Sequence, residues 1–300
     1  MHKRALQMRG WLLANVAVLF FGLAGVLGKL SVLPSPLIVL GRVVFAGIVL
    51  LVVALFQRIS LRPQRRRDTA ILIGQGVLLA VHWTSFFQAI NVSNVAIGLL
   101  TFSSFPLFTA ALEPLLLRQF PSRSQVCAAL LILLGIYVLV PAFSLQNTTT
   151  VGVLWGVLSG ATFALLSVAN RWLGRSYPSL MISLYQDGTA ALVLLPTLLL
   201  FPTANLWHPH ELLILLILGV ACTALAHTCF IASMRTLTAQ AASLFASLEP
   251  VWGILFGILL LHNLPTLKTL IGGVIIVGAT MLPGLVAFAK TKGKGAEEVA

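Results

Sequence analysis

Charged residues, and acidic residues above all, are scarce in this sequence. Asp and Glu number 7 and Lys and Arg 19 among 300 residues, so that charged residues make up 9% of the chain and hydrophobic residues 59%. A soluble domain carries about 25% charged residues. So little polar surface excludes a water-soluble globule and predicts a protein whose main solvent is a lipid bilayer.

Cysteine is scarce as well, and the motifs of common enzymes are absent. Cys127, Cys222 and Cys229 stand in apolar runs without CxxC spacing or a histidine in ligand register, which argues against disulfides and metal sites. The sequence holds no HExxH, GxSxG or Walker motif and no pair of aspartates at catalytic spacing. We therefore expect neither an enzyme nor a bound cofactor or metal.

The basic residues are distributed as in a membrane protein. The net charge is +12, but Lys and Arg stand in short clusters between apolar runs, which argues against nucleic acid as a partner. If the N-terminus lies inside, 16 of them fall on the inner side and only Lys29 and Lys268 on the outer side. The positive-inside rule then predicts that both termini are cytoplasmic. We expect a multi-pass protein of a bacterial inner membrane.

Ten apolar runs are long enough to cross a bilayer, which needs about 20 residues per helix. The first run lacks a small-residue cleavage site and therefore resembles a retained span more than a signal peptide. Short connectors with turn residues, such as LPSP at 33–36 and NLP at 263–265, separate the runs. The runs are 11–30, 36–57, 70–90, 93–117, 124–140, 151–172, 179–201, 212–234, 238–261 and 266–289.

The chain also contains an internal repeat. Moved on by 144 positions, the stretch 84–122 matches a second stretch without a gap, and two of its three prolines, Pro106 and Pro121, fall on prolines. Each half holds five spans, an odd number, so the second half must enter the membrane inverted relative to the first. We predict an all-α membrane protein of ten helices with a first repeat at 1–142, an outer linker at 143–150, a second repeat at 151–290 and a cytoplasmic tail at 291–300.

The paired prolines and the intramembrane charges are the first candidate functional residues. Pro106 and Pro250 lie inside the fourth and ninth spans, where a proline kinks a helix; the kinks are either static or hinges. Arg42, Asp187 and Glu249 lie inside apolar sequence, where isolated charges cost at least about 2.5–3.5 kcal/mol. We expect Arg42 to pair with one of the two acids, either to fix helix register or to bind or couple a charged cargo.

Polar and aromatic residues at membrane depth form a second set of candidates. His82 and His227 stand in related helices, and a histidine in a water-filled cavity can titrate near neutral pH, although most buried histidines are hydrogen-bonded core residues. Aromatic rings can cage a ring-bearing or cationic cargo, although packing explains most of them. The predicted substrate pathway comprises Asn15, His82, Trp83, Phe86, Ser103, Trp155, Tyr185, His227 and Ser247. Asn170 is a further polar candidate at membrane depth.

These stretches resemble the drug/metabolite transporter superfamily of the EamA type. The likeness is carried by Arg42 after Pro36, by the stretch HWTSFFQAINVSNVAIGLLTFSSFPLFTAAL at 82–112, and by its second copy through Pro250 and Pro265. The His-Trp start of the third span and its Phe-Phe-x-Ala core resemble the bacterial amino-acid exporters of YddG type. That resemblance implies export of amino acids, often aromatic ones, through a central cavity lined by both halves.

We therefore expect an exporter of small metabolites that works by alternating access, with a small-molecule cargo and the lipid bilayer as partners. Facilitated uniport and antiport with protons both stay open, because so few acids are buried. Two rival functions also stay open. One is a membrane sensor that transports nothing. The other is an importer or exchanger of another metabolite class, although nucleotide-sugar cargo would need more cavity Lys or Arg than Arg42 alone.

Overall fold

The computed structural model describes residues 2–117, 122–139, 143–237, 245–246 and 248–297, and in these ranges the chain forms helices without any strand. The helices of the first half are α1 (His2–Leu30), α2 (Ser35–Phe56), α3 (Arg66–Val92), α4 (Val95–Phe102), α5 (Phe105–Leu117) and α6 (Arg123–Leu139). Those of the second half are α7 (Thr148–Leu173), α8 (Ser179–Leu194), α9 (Thr197–Leu200), α10 (Pro209–Gly219), α11 (Ala226–Ser233), α12 (Glu249–Leu261) and α13 (Leu267–Glu297). A π-helical segment, Val220–Leu225, joins α10 to α11.

These helices account for the ten predicted spans as far as the chain is described; residues 238–244 and 247 of the predicted ninth span lie outside the described residues. Eight stretches of the described chain are long and apolar enough to cross a membrane, and α6 and α12 are shorter apolar helices. Large apolar side chains on the outside of the bundle stay exposed, among them Leu199 and Val274, as expected where lipid surrounds the protein. The chain is a multi-pass, all-α membrane protein.

Several helices extend beyond the predicted apolar runs, α1, α7 and α13 among them. α1 begins at His2, α13 continues to Glu297, and α7 begins at Thr148. Asn147 caps α7 because its side-chain oxygen accepts a hydrogen bond of 2.9 Å from the backbone N–H of Thr149. Hydropathy does not predict such extensions, because their residues are polar and the helix continues beyond the apolar run.

The two halves pack against each other in a symmetric pattern. Helix α3 packs along α7, and its counterpart α11 packs along α1; α4 and α5 contact α7, whereas α12 contacts α1. The equivalent helices α2 and α8 contact each other, and so do α6 and α13. Each contact thus has a counterpart after exchange of the halves, which is the arrangement of two inverted five-helix repeats.

The connections between helices alternate between two faces of the bundle. We call one the basic face, because its connections 57–65 and 174–178 carry Arg58, Arg62, Arg65 and Arg175. The opposite face carries the connections 31–34, 93–94 and 201–208.

Neither repeat proline lies in the middle of a continuous helix, which corrects the prediction of mid-helix kinks. Helix α4 ends at Phe102 and α5 begins at Phe105, so Pro106 is the second residue of a new helix. Pro250 is likewise the second residue of α12. A missing N–H is harmless in a first turn, so each proline starts a helix. The hydroxyl of Ser103 donates to the carbonyl of Leu99 at 3.1 Å, and Ser247 lies outside the described residues.

Glycines of α7 allow close packing against the break between α4 and α5. Gly156 lies against Thr101, and Gly160 lies against Ser104 and the carbonyl of Phe102. Such small residues let helix backbones approach closely in a membrane. This packing fixes α7 beside the interrupted span and so sets one wall of the centre of the bundle.

Replacing Gly160 by Ala is expected to destabilise the protein by about 1–3 kcal/mol. The added Cβ would lie 2.8 Å from the carbonyl oxygen of Phe102 and 2.7 Å from Oγ of Ser104. The midpoint of thermal unfolding in detergent measures the effect. Gly47→Ala is the matched control, because no heavy atom lies within 4 Å of its added Cβ. Equal midpoints for the two variants would contradict the expectation.

Candidate functional site

A small cavity lies at the centre of the bundle, between the two halves. Its volume is about 30 Å³, which is room for one or two water molecules. Seven of the predicted candidates line it: Arg42, His82, Trp83, Phe86, Asn170, His227 and Glu249. The other lining residues are Phe21, Ala24, Leu79, Phe102, Phe163 and Leu166.

Arg42 is the cation of this cavity and is fully buried. Its Nε donates to the hydroxyl of Thr223 at 2.8 Å, and its Nη2 donates to the carbonyl of Cys222 at 3.2 Å. The guanidinium carbon lies 4.0 Å from the ring centroid of Trp83, so a cation–π contact supplements the hydrogen bonds. These contacts leave Nη1 without a hydrogen-bond partner among the described residues.

Both acceptors of Arg42 belong to the π-helical segment. A π-helical turn changes the regular pairing of backbone carbonyls, and such turns occur often at functional sites. Here the carbonyl of Cys222 accepts from Arg42, and the hydroxyl of Thr223 also donates to the carbonyl of Leu218 at 2.7 Å. Hydropathy does not reveal this segment, because VACTAL reads as ordinary apolar helix.

Arg42 forms no direct ion pair, which corrects the prediction that it pairs with Asp187 or Glu249. Within the described part of the chain, no carboxylate oxygen lies within 4.0 Å of its nitrogens. The reason is that Thr223, Cys222 and Trp83 hold the guanidinium, so the two acids act on its charge from a longer distance.

The two acids differ in their surroundings. Glu249 lies at the start of α12 and lines the cavity. Asp187, in α8, is completely buried behind the cavity wall, and neither of its carboxylate oxygens has a hydrogen-bond partner among the described residues. Glu249 can therefore meet a molecule in the cavity directly, whereas Asp187 can act on it only through Arg42.

The histidines belong to an aromatic cluster. Nδ1 of His82 lies 3.0 Å from both the carbonyl and the hydroxyl oxygen of Ser159. The ring of His227 meets that of Trp83 edge-on, with 5.4 Å between centroids. Phe102 and Phe163 pack on His82 with centroids 5.5 and 5.3 Å away. The walls of the cavity are thus aromatic, with two imidazoles among them.

Several predicted pathway residues lie elsewhere. Asn15 is exposed and donates to the carbonyl of Trp11, and Tyr185 donates to the carbonyl of Leu61 near the basic face. Ser103 is buried in the α4–α5 break, and Trp155 faces the vestibule described next. Hydropathy places all four in apolar runs, but none of them lines the cavity: Tyr185 and Trp155 lie towards the two faces of the bundle, and Asn15 and Ser103 point elsewhere.

A vestibule opens on each face of the bundle. The opposite-face vestibule has a volume of about 730 Å³, and the basic-face vestibule has about 510 Å³. The first is lined by Lys29, Ser31, Val32, Leu33, Pro34, Ser35, Pro36, Thr84, Gln88, Asn91, Trp155 and Phe201. The second is lined by Asn170, Arg171, Gly174, Arg175, Ile231, Met234, Arg235, Thr236 and Leu237.

A buried amide network separates the central cavity from the basic-face vestibule. Nε2 of Gln186 donates to Asn170 Oδ1 at 2.6 Å and also to Gln75 Oε1. Asn170 lines both the cavity and the vestibule. Sequence reasoning did not assign Gln75, Gln186, Phe102 or Phe163 to the site. The glutamines could have been noticed as uncharged polar residues at membrane depth, but nothing distinguishes the two phenylalanines from core residues.

A buried hydrogen bond joins the connection after α7 to the start of α3 at the basic face. The hydroxyl of Tyr177, in the connection after α7, donates to Asp68 Oδ2 at 2.5 Å and accepts from the backbone N–H of Gln64 at 3.0 Å. Burial and the bond to Asp68 raise the pKa of Tyr177, so the phenol stays a neutral donor. Its contribution to stability is complete below the ordinary tyrosine pKa and is lost as the pH rises through the raised pKa.

Tyr177→Phe is expected to lower stability by about 1–3 kcal/mol, because it leaves the buried Asp68 carboxylate without this donor. Thermal unfolding in detergent near neutral pH measures the loss. Tyr137→Phe serves as control, since Tyr137 is exposed. An unchanged midpoint for Tyr177→Phe would show that the bond contributes nothing.

Comparison with known proteins agrees with this architecture. The EamA-like transporter family matches residues 8–140 and again residues 150–284. The chain belongs to the EamA-like transporter family. The two matches correspond to the two halves of the bundle, and the function of such a family member is transport across a membrane.

Relatives of this EamA-like transporter carry names that give no cargo. An uncharacterized transporter of Archaeoglobus fulgidus is 26% identical over 216 residues, which cover 72% of this chain and 77% of the relative. The uncharacterized transporter YwfM of Bacillus subtilis is 26% identical over 61% of this chain and 62% of its own length. A Helicobacter pylori transporter, also uncharacterized, is 26% identical over 83% and 85%. One solved structure superposes with a TM-score of 0.69 at 21% identity, covering 95% of this chain and 98% of that one, which shows a shared fold.

Proposed function

We propose that this EamA-like transporter exports amino acids, aromatic or other neutral ones, from the cytoplasm through the bacterial inner membrane. The observation that carries the proposal is the content of the central cavity: one guanidinium, one carboxylate and a wall of aromatic rings. An amino acid presents one carboxylate, one ammonium and a side chain, so each group of the cavity has a complementary group on the cargo.

Arg42 is the partner for the cargo carboxylate. Its Nη1 is free of hydrogen bonds to described residues, while Nε and Nη2 are held by Thr223 and Cys222. A fixed guanidinium with a free N–H binds a carboxylate strongly, because the hydrogen bond is charge-assisted and the group is already oriented. Nucleotide-sugar cargo would need several such cations, and Arg42 is alone among the residues that line the cavity.

Glu249 and the aromatic walls complete the match. The carboxylate of Glu249 lines the cavity and can receive the ammonium of the cargo. Trp83, Phe86, Phe102 and Phe163 offer ring faces and edges to an apolar or aromatic side chain. This combination favours a neutral zwitterion over a polyanion or a cation.

The size of the cavity supports alternating access. A volume of about 30 Å³ is too small for an amino acid, so helices of the two halves must separate for cargo to enter and leave. The inverted repeat provides two equivalent ways to separate, one towards each vestibule. The excess of Lys and Arg on the basic face supports a cytoplasmic location for that face. Export then runs from the basic-face vestibule to the opposite-face vestibule.

Counterflow in proteoliposomes tests the proposal. Vesicles loaded with unlabelled phenylalanine, leucine, lysine or aspartate receive labelled phenylalanine outside. Phenylalanine and leucine inside are expected to drive uptake of label, whereas lysine and aspartate are not. A pH gradient across the same vesicles shows whether protons move with the cargo. No counterflow with any amino acid from protein that elutes as a single folded species would refute the proposal.

A further inference from the structure

We infer that the basic-face vestibule is an entrance site that captures the carboxylate of the cargo before it reaches Arg42. This inference rests on the proposed function and adds a second binding site to it. The vestibule lies where α7 and α11 end and has a volume of about 510 Å³. Arg171, Arg175 and Arg235 line it, and no acidic residue is among its lining residues.

The three guanidinium groups are free to bind an anion. None of them forms an ion pair or hydrogen bond with the described residues, and all three side chains are exposed. Arg67, also on the basic face, instead rests on the ring of Trp172 at 5.8 Å. The positive-inside rule explains why arginines are frequent on this face, but not why three arginines without partners among the described residues line the vestibule that shares Asn170 with the cavity.

Asn170 supplies an independent observation at the floor of the vestibule. It is 4% exposed and lines both the vestibule and the central cavity. Its Oδ1 accepts from Gln186, but its Nδ2 has no hydrogen-bond partner in the described ranges. This N–H is not one of the fully buried polar atoms that lack a partner, so it is accessible to a ligand or to water. Unpaired donors therefore stand at three successive depths: the arginines, Asn170 Nδ2 and Arg42 Nη1.

The opposite-face vestibule lacks this property. Its cation, Lys29, donates to the carbonyls of Ile90, Asn91 and Ser93 at 3.0, 3.1 and 3.4 Å. The ammonium therefore already has three acceptors at the C-terminal end of α3, and the other lining residues are uncharged. A carboxylate is thus attracted on the basic face and is released on a face with no free cation among the lining residues.

The first measurement reports the electrostatic potential in the basic-face vestibule and needs no cargo. Thr236, exposed in the vestibule, is replaced by Cys in full-length protein in which Cys127 and Cys229 are Ser. An anionic and a cationic methanethiosulfonate then label this thiol. Arg171→Gln/Arg175→Gln/Arg235→Gln is expected to lower the ratio of anionic to cationic labelling rates at least tenfold, and less at high salt. The control Arg62→Gln/Arg66→Gln/Arg123→Gln removes three exposed arginines outside the vestibule and is expected to change the ratio less than twofold.

The second measurement uses labelled phenylalanine and oriented proteoliposomes. The vestibule triple variant is expected to raise KM about tenfold for phenylalanine added at the basic face, with kcat changed less than twofold. KM at the opposite face stays the same. Liposomes of phosphatidylcholine alone, and others with phosphatidylglycerol, separate a cargo carboxylate from a lipid phosphate as the anion. The KM effect is expected in both.

The outcomes separate this inference from the proposed function. Three results would each contradict the entrance site without contradicting phenylalanine transport. They are an unchanged labelling ratio, an unchanged KM, and a KM effect that appears only with phosphatidylglycerol. If the wild-type protein moves no phenylalanine, the proposed cargo is wrong, and the labelling ratio alone decides whether the vestibule selects anions. A lowered ratio together with a raised KM in both lipids supports the entrance site.

Discussion

Arg42→Gln is expected to lower the affinity for phenylalanine by about 10- to 150-fold and to remove measurable counterflow. A hydrogen bond to a charged group contributes about 1.5–3 kcal/mol, which corresponds to that range of affinities. The neutral amide of Gln also loses the contact with Trp83, which lies 4.0 Å from the guanidinium carbon. Binding of labelled phenylalanine to the purified protein and counterflow measure the two effects.

Arg42→Lys is the informative control for this result. Lysine keeps the charge, but it lacks the planar guanidinium. It therefore cannot donate to both Thr223 and the carbonyl of Cys222 while stacking on Trp83, as Arg42 does. We expect an affinity between those of wild type and Arg42→Gln. Size-exclusion chromatography shows whether each variant is folded, since removal of a buried cation near two acids also lowers stability. Wild-type counterflow from folded Arg42→Gln protein would exclude Arg42 from cargo binding.

Glu249→Gln is expected to weaken phenylalanine binding about tenfold or more, because the ammonium loses its carboxyl partner in the cavity. The same variant is expected to bind 3-phenylpropionate, which has a carboxylate and a ring but no ammonium, as well as the wild type does. Competition by the two compounds against labelled phenylalanine measures this change of specificity.

Asp187→Asn is the matched control, since it removes the other acid that acts on Arg42. Asp187 is not among the residues that line the cavity, so phenylalanine affinity is expected to change less than threefold. If Asp187→Asn and Glu249→Gln weaken both compounds equally, neither acid binds the ammonium, and both act only on Arg42.

Hydropathy and repeat analysis were sufficient for the architecture because a bilayer leaves few alternatives. Every spanning segment must satisfy its backbone within a helix, so ten apolar runs predict ten spans. An odd number of spans in each half requires inversion of the second half, and the symmetric contacts of α3 with α7 and of α11 with α1 agree with it. Membership in a transporter family was likewise recognisable from the stretch 82–112 and its copy.

The amino-acid sequence alone therefore established the number of spans, their inversion and the set of polar residues at membrane depth. Which of those residues meet was decided only by tertiary structure. Depth follows from position in an apolar run, but direction follows from helix rotation. That rotation is set by glycine contacts such as those of Gly160, and the π-helical segment fixes the acceptors of Arg42. Arg42, Trp83 and Glu249 meet at the cavity for this reason, while Asn15, Tyr185 and Trp155, which hydropathy also places in apolar runs, lie elsewhere.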